Sequence, residues 1–517
     1  MITNKQAEKA QSPLKNIDYI LLTGLLLIAL AARLIPGLRI VDDAYITFRY
    51  ARNIVTGYGF VYNPGEHVLG TTTPLYTLLM AGLAWISGSR DFPLLAFISN
   101  ACFGAISAAM LYLLVKRLAS HSVPAAVVTL LWAMAPFSIT FAIGGMETDL
   151  AIALLIACAY AHLAQKPRVL AILSALALLT RPDTAILLGL LWLDLIIAER
   201  RIPWREGLIT LALLAPWLIY GTLTFGSPLT NSIAAKSLTY RLPPTADLIR
   251  LTQHYATPFF ETKVLPPMGV VVLFAIYLGL CTLGSLRTLR HTRRAWPMIA
   301  YPLAYFIVFA VANPLLFRWY FSPPLPFYFM LILTGAWVLA NDLDKFIGKN
   351  RSQVRYALFA VPAILTLALT LNAWTLHPDH GPDRPAPEMA WFKLEQIYAQ
   401  AADLVLADAG SQSDVTLCAG DIGVLGYTTD FHILDTVGLV TPQSSEHYPA
   451  DPEIYVINYA IPADLVLALD PDYIVILEVY GREGLLPDPR FQAQYRLLES
   501  IETDIYGSES MLIFTRQ

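Results

Sequence analysis

The sequence predicts an α-helical polytopic membrane protein that carries a C-terminal extracytoplasmic α/β domain. Apolar residues make up 56% of the 517 residues and charged residues only 14%, whereas an average soluble protein has about 25% charged residues. The mean hydropathy of +0.54 agrees with this composition. The apolar residues also fall into about 11 segments of the length that a membrane-spanning helix needs, ~20 residues.

The same composition excludes other classes of protein. Disordered chains are poor in apolar and aromatic residues, which are abundant here. A net charge of −4 gives no reason to expect nucleic acid as a partner. The first three of the four cysteines lie inside apolar runs, so no disulfide framework is predicted.

A basic tail, residues 1–17, precedes the transmembrane module, which is predicted to cover residues 18–374. The tail stays in the cytoplasm if the first apolar segment is an uncleaved helix. The candidate spans are residues 18–36, 93–115, 123–142, 149–164, 169–180 with 183–198 as a broken pair, 207–225, 267–286, 296–313, 321–340 and 356–374.

Residues 75–88 are apolar but short, and the basic loops indicate that they lie along the membrane without crossing it. With that arrangement, five basic loops all face the cytoplasm, as the positive-inside rule requires. These loops carry Lys116/Arg117, Lys166/Arg168, Arg200/Arg201/Arg205, Arg287/Arg290/Arg293/Arg294 and Lys345/Lys349/Arg351/Arg355.

Three regions then face outward: the loop 37–92, a middle loop at about 226–266, and the C-terminal part. A Pro-rich linker, residues 375–387, separates the last span from the extracytoplasmic α/β domain, residues 388–517. In that domain, periodicity predicts a helix over 388–403 and strands at 415–419, 473–478 and 511–515.

The first outer loop carries the clearest chemical signal, the adjacent carboxylates Asp42 and Asp43. They open an amphipathic pattern that is typical of a helix lying in the membrane interface. One of them can cap that helix, which is the structural alternative to a chemical role. The pair also offers two ligands to a divalent cation, although two carboxylates do not make a full site.

Other candidate site residues lie at the outer ends of spans. Glu147 precedes a span and has a helix start as its alternative role, and His67 in the first loop is either a ligand or simply solvated. Arg181 and Asp183 interrupt an apolar stretch, where ionisable residues either pair or line a functional cavity. Lys236 lies in the middle loop, and Arg318 and Tyr320 lie in a short aromatic loop, where Arg318 is either a phosphate ligand or an interface anchor.

These residue types share a chemical logic. Carboxylates can act as general base toward a hydroxyl group. Arg181, Lys236 and Arg318 can neutralise the phosphate of a lipid-linked donor whose head group reaches the outer interface. The sequence has no glycine-rich phosphate loop of the kind that would favour a water-soluble nucleotide sugar.

The first-loop run from Asp42 to Asn53, followed by Gly57-Tyr-Gly and Val61-Tyr-Asn-Pro-Gly-Glu, resembles the GT-C glycosyltransferases. The likeness is strongest to the terminal cell-wall arabinofuranosyltransferases, and it extends along nearly the whole chain. Further blocks occur in family order, at Gly145-Met-Glu-Thr, Leu179-Thr-Arg-Pro-Asp, Phe225-Gly-Ser-Pro-Leu-Thr-Asn with Ala235-Lys, Arg318-Trp-Tyr, Ala419-Gly-Asp-Ile-Gly-Val-Leu-Gly-Tyr and Asp435-Thr-Val-Gly-Leu.

The resemblance implies a GT-C fold and a polyprenyl-phosphate-sugar donor. It places the catalytic or metal-associated acid at Asp42 and Asp43, in a multi-pass protein of the cell membrane. The acceptor would be a glycan, lipid or protein of the cell envelope. The sequence leaves the sugar and the acceptor open, since residues 69–74, Leu-Gly-Thr-Thr-Thr-Pro, depart from the family pattern.

Two other functions fit parts of the sequence. A transporter or flippase of lipid-linked saccharides is the main alternative, but such proteins commonly contain internal repeats with matching broken helices. Only one broken pair is predicted here. A noncatalytic protein that binds glycans through residues 388–517 is the third hypothesis.

Overall fold

The computed structural model describes residues 14–259, 266–347, 352–372 and 388–517. The predicted linker 375–387 and most of the predicted tail 1–17 lie outside the described residues. The chain is mainly helical, with one sheet near its C-terminal end.

The described part of the region before the linker contains sixteen α-helices. They are α1 Asn16–Leu34, α2 Asp42–Thr56, α3 Pro74–Ser87, α4 Phe92–Ala119, α5 Ser122–Met134, α6 Pro136–Ile143, α7 Thr148–Leu163, α8 Pro167–Thr180, α9 Ala185–Glu199, α10 Trp204–Phe225, α11 Asn231–Thr239, α12 Ala246–Ala256, α13 Pro267–His291, α14 Trp296–Ala312, α15 Leu325–Phe346 and α16 Ser352–Asn372.

Seven helices in the described residues are long and apolar enough to cross a membrane, and an eighth span results if α5 and α6 form one span bent by 46°. The bend falls at Pro136, which cannot continue the hydrogen-bond ladder of α5. The chain is therefore a multi-pass membrane protein. Helices also occupy the remaining predicted spans, but α7, α8 and α9 are shorter, and the total of about eleven spans stays a prediction.

The expected break between the fifth and sixth predicted spans is present. Helix α8 ends at Thr180, Arg181 has an extended backbone, and a 3₁₀ turn, Pro182–Thr184, leads into α9. Pro182 explains this geometry because the residue before a proline is driven out of the helical region.

Helix α2 is not the interfacial helix that its amphipathic pattern predicted. Its apolar positions are buried, but so are the polar residues Arg49 and Asn53. The polar side is covered by the C-terminal domain, which contacts α2 through the short helix α18, Gly423–Thr429. The periodicity of a helix shows that it has an apolar and a polar face, but not what covers the polar face. A polar face can be buried when another domain satisfies its hydrogen bonds.

The C-terminal domain contains a five-stranded sheet, five α-helices and three 3₁₀ helices within the described residues. Its strands are β1 Thr416–Ala419, β2 His432–Asp435, β3 Tyr473–Leu477, β4 Tyr495–Glu502 and β5 Ser510–Arg516. Its α-helices are α17 Glu388–Ala409, α18 Gly423–Thr429, α19 Ala463–Leu469, α20 Glu478–Gly481 and α21 Pro489–Gln494, and the longest of the 3₁₀ helices is Pro442–His447.

The strand order is β2-β1-β3-β5-β4. Strands β2, β1 and β3 are parallel, whereas β5 is antiparallel to both β3 and β4. The carboxyl ends of parallel strands lie at one edge of a sheet, and ligands of open α/β sheets bind at that edge. Here the connections that leave β1 and β2 at this edge contact the transmembrane module.

Candidate active site

Asp42 joins the first outer loop to the C-terminal domain. Its carboxylate accepts hydrogen bonds from the backbone N–H groups of Gly423 (2.9 Å) and Val424 (2.7 Å). Burial raises the pKa of the Asp42 carboxyl, and the charge of Asp421 raises it further, while the two N–H donors act in the opposite direction. Asp42 does not cap its own helix, whose N-cap residue is Val41.

Three further side chains of the first loop attach to the same part of the C-terminal domain. The Arg49 guanidinium, which is 1% exposed, donates to the carbonyl oxygens of Gly426 (2.6 Å) and Phe431 (2.7 Å). The Tyr62 hydroxyl donates to the carbonyl oxygen of Ile422 (2.6 Å). Asn63 bonds Ile433 through both its amide oxygen and its amide nitrogen. The contact therefore depends on buried hydrogen bonds as well as on apolar packing.

Two glycines let the backbone of α18 approach the first loop closely. A Cβ atom at Gly423 would overlap the Asp42 carbonyl oxygen, and one at Gly426 would overlap the Tyr62 hydroxyl. Both glycines lie on one face of α18 because residues three apart in a helix are neighbours on its surface.

Asp43 is oriented differently from Asp42. Its carboxylate lies 3.7 Å from the Nζ atom of Lys236, and the two side chains are 29% and 26% exposed. The Lys236 ammonium also lies 4.4 Å from the ring centroid of Phe317, in a cation–π contact. The sequence placed Lys236 and the Asp pair on the same outer face, and the structure brings Lys236 next to Asp43.

Arg181, Glu147 and Asp183 form a buried cluster. The guanidinium binds both carboxylate oxygens of Asp183 (2.9 Å each) and one oxygen of Glu147 (3.2 Å). It also lies 4.8 Å from the ring centroid of Tyr320. Burial raises the pKa of Glu147, and Arg181 counteracts that shift. The pairing of Arg181 with Asp183 is the structural alternative that the sequence left open.

The remaining candidates lie in different surroundings. Arg318 is half-buried and begins the 3₁₀ turn, Arg318–Phe321, that places Tyr320 beneath Arg181. Its charge also acts on His254, whose pKa falls to about 3 mainly because the ring is buried. His67 is exposed, and its neighbour Glu66 pairs with His432 of the C-terminal domain at 3.3 Å.

The described residues do not fit a divalent-metal site at the Asp pair. They contain no group of three or more His, Cys, Asp or Glu side chains that could hold a metal ion. Both oxygens of Asp42 already accept hydrogen bonds from backbone N–H groups. Hard divalent cations need six or more oxygen ligands, counting water, and the described side chains around Asp43 supply few of them.

Sequence reasoning missed the part of the site that the C-terminal domain contributes. In the sequence, Asp421 stands only inside the block from Ala419 to Tyr427 that resembles the GT-C family, yet in the structure its carboxyl responds to the charges of Asp43 and Lys236. The local signal was present: an acidic residue and two glycines directly after a short apolar strand. However, the Asp pair that Asp421 faces in the first loop is almost 400 residues away in sequence.

Two solved membrane enzymes define the class of fold. The archaeal oligosaccharyltransferase AglB from Archaeoglobus fulgidus, in complex with an inhibitory peptide and a dolichol-phosphate, aligns with 97% of this chain and 74% of its own, with a TM-score of 0.56 and 13% identity. ArnT from Cupriavidus metallidurans, bound to undecaprenyl phosphate, aligns over 96% and 97%, with a TM-score of 0.56 and 12% identity. The chain therefore shares the fold of these two proteins, in agreement with the GT-C fold that the sequence motifs predicted.

Among individual proteins, the chain resembles the terminal β-(1→2)-arabinofuranosyltransferase of Mycobacterium tuberculosis. The two are 30% identical over 190 residues, which cover 33% of this chain and 30% of the relative. This confirms the resemblance that the sequence motifs indicated, over one third of the chain; the predicted extension along nearly the whole chain is not covered by this match. Residues 389–514 match a family described as a domain of unknown function (DUF8728), so the C-terminal domain itself has no assigned role.

Proposed function

We propose that this protein is a membrane glycosyltransferase that moves a sugar from a polyprenyl-phosphate donor to an acceptor of the cell envelope. The observation that carries the proposal is the placement of Asp43 beside Lys236 at the junction of the first loop, the middle loop and the C-terminal domain. The GT-C fold supports it, because AglB and ArnT were solved with polyprenyl phosphates. The arabinofuranosyltransferase relative supports transfer of a sugar.

In the proposed reaction, an acceptor hydroxyl oxygen attacks the anomeric carbon of the donor sugar. The bond between that carbon and the phosphate oxygen breaks, the hydroxyl proton passes to the Asp43 carboxylate, and polyprenyl phosphate leaves as an anion. Asp43 suits the role of base because its carboxylate is partly exposed, whereas both carboxylate oxygens of Asp42 accept hydrogen bonds from backbone N–H groups. Lys236 would offset the negative charge of the departing phosphate.

Of the other two predicted phosphate ligands, Arg181 receives a structural role and Arg318 keeps the predicted one. The Arg181 guanidinium already binds two carboxylates, so we assign it to holding Glu147, Asp183 and the Tyr320 ring in place. Arg318 remains a candidate phosphate ligand near the mouth of the site. We place the N-terminus in the cytoplasm and the C-terminal domain outside, because that orientation puts all five basic loops inside.

The test uses purified protein in liposomes with a panel of radiolabelled polyprenyl-phosphate sugars and a crude envelope extract as acceptor. We expect wild type to move label from one lipid to the extract, and Asp43→Asn to lose this transfer. Asp403→Asn is a matched control, because Asp403 is exposed on α17 of the same protein. Equal transfer by wild type and Asp43→Asn would refute the assignment of the base.

The transport alternative has its own outcome in the same liposomes. If labelled lipid crosses the bilayer, so that it becomes accessible to an external reagent, and no label reaches any acceptor, the protein is a flippase and the proposed function is wrong. Transfer of label without such movement supports the transferase.

A further inference from the structure

Asp421 lies where the C-terminal domain approaches the first loop. It follows strand β1 by two residues, at the carboxyl edge of the parallel strands, which is where ligands of open α/β sheets bind. The three residues that follow Asp421 in the chain are hydrogen-bonded to the first loop. The Ile422 carbonyl accepts from Tyr62, and the N–H groups of Gly423 and Val424 donate to Asp42.

This backbone attachment places Asp421 close to the Asp pair. Consecutive Cα atoms are 3.8 Å apart, so the Cα of Asp421 lies within about 8 Å of the Cα of Gly423. Gly423 in turn touches Asp42, the residue next to Asp43. The carboxyl of Asp421 therefore enters the same site from the side of the C-terminal domain.

Within the described residues, one side-chain hydrogen bond holds the carboxylate of Asp421. The Tyr398 hydroxyl of α17 donates to its Oδ2 atom at 2.6 Å. An ionised carboxylate offers about four acceptor positions, and Tyr398 fills one of them. The pKa of Asp421 is raised to about 6: burial is the largest cause, the Tyr398 hydrogen bond opposes it, and the charges of Asp43 and Lys236 act in opposite directions, which agrees with a position facing that pair.

The surroundings of Asp421 suit a neutral ligand rich in hydroxyl groups. Burial, and next the charge of Asp421, raise the pKa of Tyr240, and the same carboxyl acts on Tyr480. Aromatic rings with hydroxyl groups provide apolar contact area together with a polar handle. A second carboxylate beside Asp43 repels the donor phosphate, whereas it attracts hydroxyl donors.

We infer that Asp421 binds the acceptor: its carboxylate accepts hydrogen bonds from hydroxyl groups of a carbohydrate acceptor and so holds that acceptor against Asp43. This inference rests on the proposed transferase function. Tyr398 is a positioning residue that fixes the Asp421 carboxylate. The active site is then composite, with donor-side groups on the transmembrane module and an acceptor-side carboxylate on the C-terminal domain.

The test compares full-length wild type, Asp421→Asn and Asp403→Asn in liposomes. It uses the labelled polyprenyl-phosphate sugar that wild type transfers, and a graded series of envelope polysaccharide as acceptor. We expect Asp421→Asn to raise the apparent acceptor KM about tenfold, equivalent to ~1.4 kcal/mol of binding, with the donor KM within twofold of wild type. Asp403→Asn should match wild type in both constants.

An unchanged acceptor KM in Asp421→Asn, or an equal rise in both KM values, would overturn the inference while leaving the transferase function intact. Failure of wild type to transfer any label would instead count against the proposed function. If Asp421→Asn does not fold, Tyr398→Phe replaces it. That variant keeps the ring and both carboxylates, and an acceptor KM equal to that of wild type would then overturn the inference.

Discussion

The Asp42 carboxylate accepts a hydrogen bond of 2.9 Å from the backbone N–H of Gly423, although 381 residues separate the two in sequence. Because of this contact, the adjacent residues Asp42 and Asp43 have different roles. Asp42 docks the C-terminal domain onto the first loop, and Asp43 is left to face Lys236. Two identical neighbours in the sequence thus have different surroundings and, we expect, different mutant phenotypes.

Asp43→Asn should lower kcat by about 10²–10⁴-fold, the usual contribution of a general base, and leave the thermal unfolding temperature in detergent unchanged. Asp42→Asn should lower the free energy of unfolding by about 1–3 kcal/mol, because it disrupts buried hydrogen bonds to a charged group. Transfer assays and melting curves of the two variants, recorded side by side, separate these effects. The same phenotype in both variants would contradict the division of roles.

Gly423→Ala and Gly426→Ala should loosen the C-terminal domain. An added Cβ atom would overlap the Asp42 carbonyl oxygen in the first variant and the Tyr62 hydroxyl in the second, and backbone atoms cannot move aside cheaply. We expect faster limited proteolysis of the protein, and reduced transfer. Gly82→Ala in α3 is the matched control, since a Cβ there meets nothing within 4 Å. Protease resistance equal to wild type would show that the domain tolerates the larger side chain.

Arg181→Met should lower the stability of the fold and should not act mainly by weakening donor binding. It leaves the buried carboxylates of Glu147 and Asp183 without their cation, and loss of one partner from a buried ion pair costs about 3–5 kcal/mol. Adding Glu147→Gln and Asp183→Asn to the same chain should restore part of the unfolding temperature, because the uncompensated charges are removed. A folded Arg181→Met protein with normal stability and a raised donor KM would instead identify Arg181 as a phosphate ligand.

Lys236→Met should raise the donor KM about tenfold, or ~1.4 kcal/mol, and weaken the dependence of that KM on salt. Methionine keeps much of the length of the side chain and its contact with Phe317 but removes the charge that faces the donor phosphate. Lys345→Met is the control, because Lys345 is exposed at the end of α15 and pairs only loosely with Asp342. A donor KM that responds equally to both substitutions would rule out a specific contact.

Transfer at low acceptor concentration should depend on pH through Asp421. Its carboxyl accepts hydrogen bonds fully only when ionised, and its pKa is raised to about 6. The rate should therefore be constant well above pH 6 and fall with the ionised fraction below it, levelling off about tenfold lower, at the rate expected for Asp421→Asn. In Asp421→Asn this part of the profile should be flat. An unchanged inflection in that variant would assign the titration to another group.

Much of the transmembrane part was predictable because its signals are local. Apolar runs mark the helices, Pro182 marks the predicted break, and Arg181 lies only two residues from its partner Asp183. The break at Pro136 was not predicted, because residues 123–142 form one apolar run. The position of Glu147 in the same cluster was not predictable, since a carboxylate before a helix looks like an ordinary cap. In the structure Glu147 is the N-cap residue but makes no cap hydrogen bond with its side chain.

The C-terminal domain was predicted only in part, for physical reasons. Strands β1, β3 and β5 were identified because they are largely buried and apolar. Strand β2 has four residues and ends in polar ones, and β4 is a mainly exposed edge strand with a register shift between Leu497 and Glu499. Neither shows a clean period of two, so the pattern that identifies strands was absent.

The composite site also has a consequence for how the protein is made. The first loop is synthesised early, and Asp42 and Arg49 then lack the backbone partners that residues 422–431 provide in the finished fold. Those partners emerge from the ribosome only after every helix of the transmembrane module. A nascent chain therefore carries two polar side chains without these partners until residues 422–431 have been synthesised, and the site between the first loop and the C-terminal domain can form only after that point.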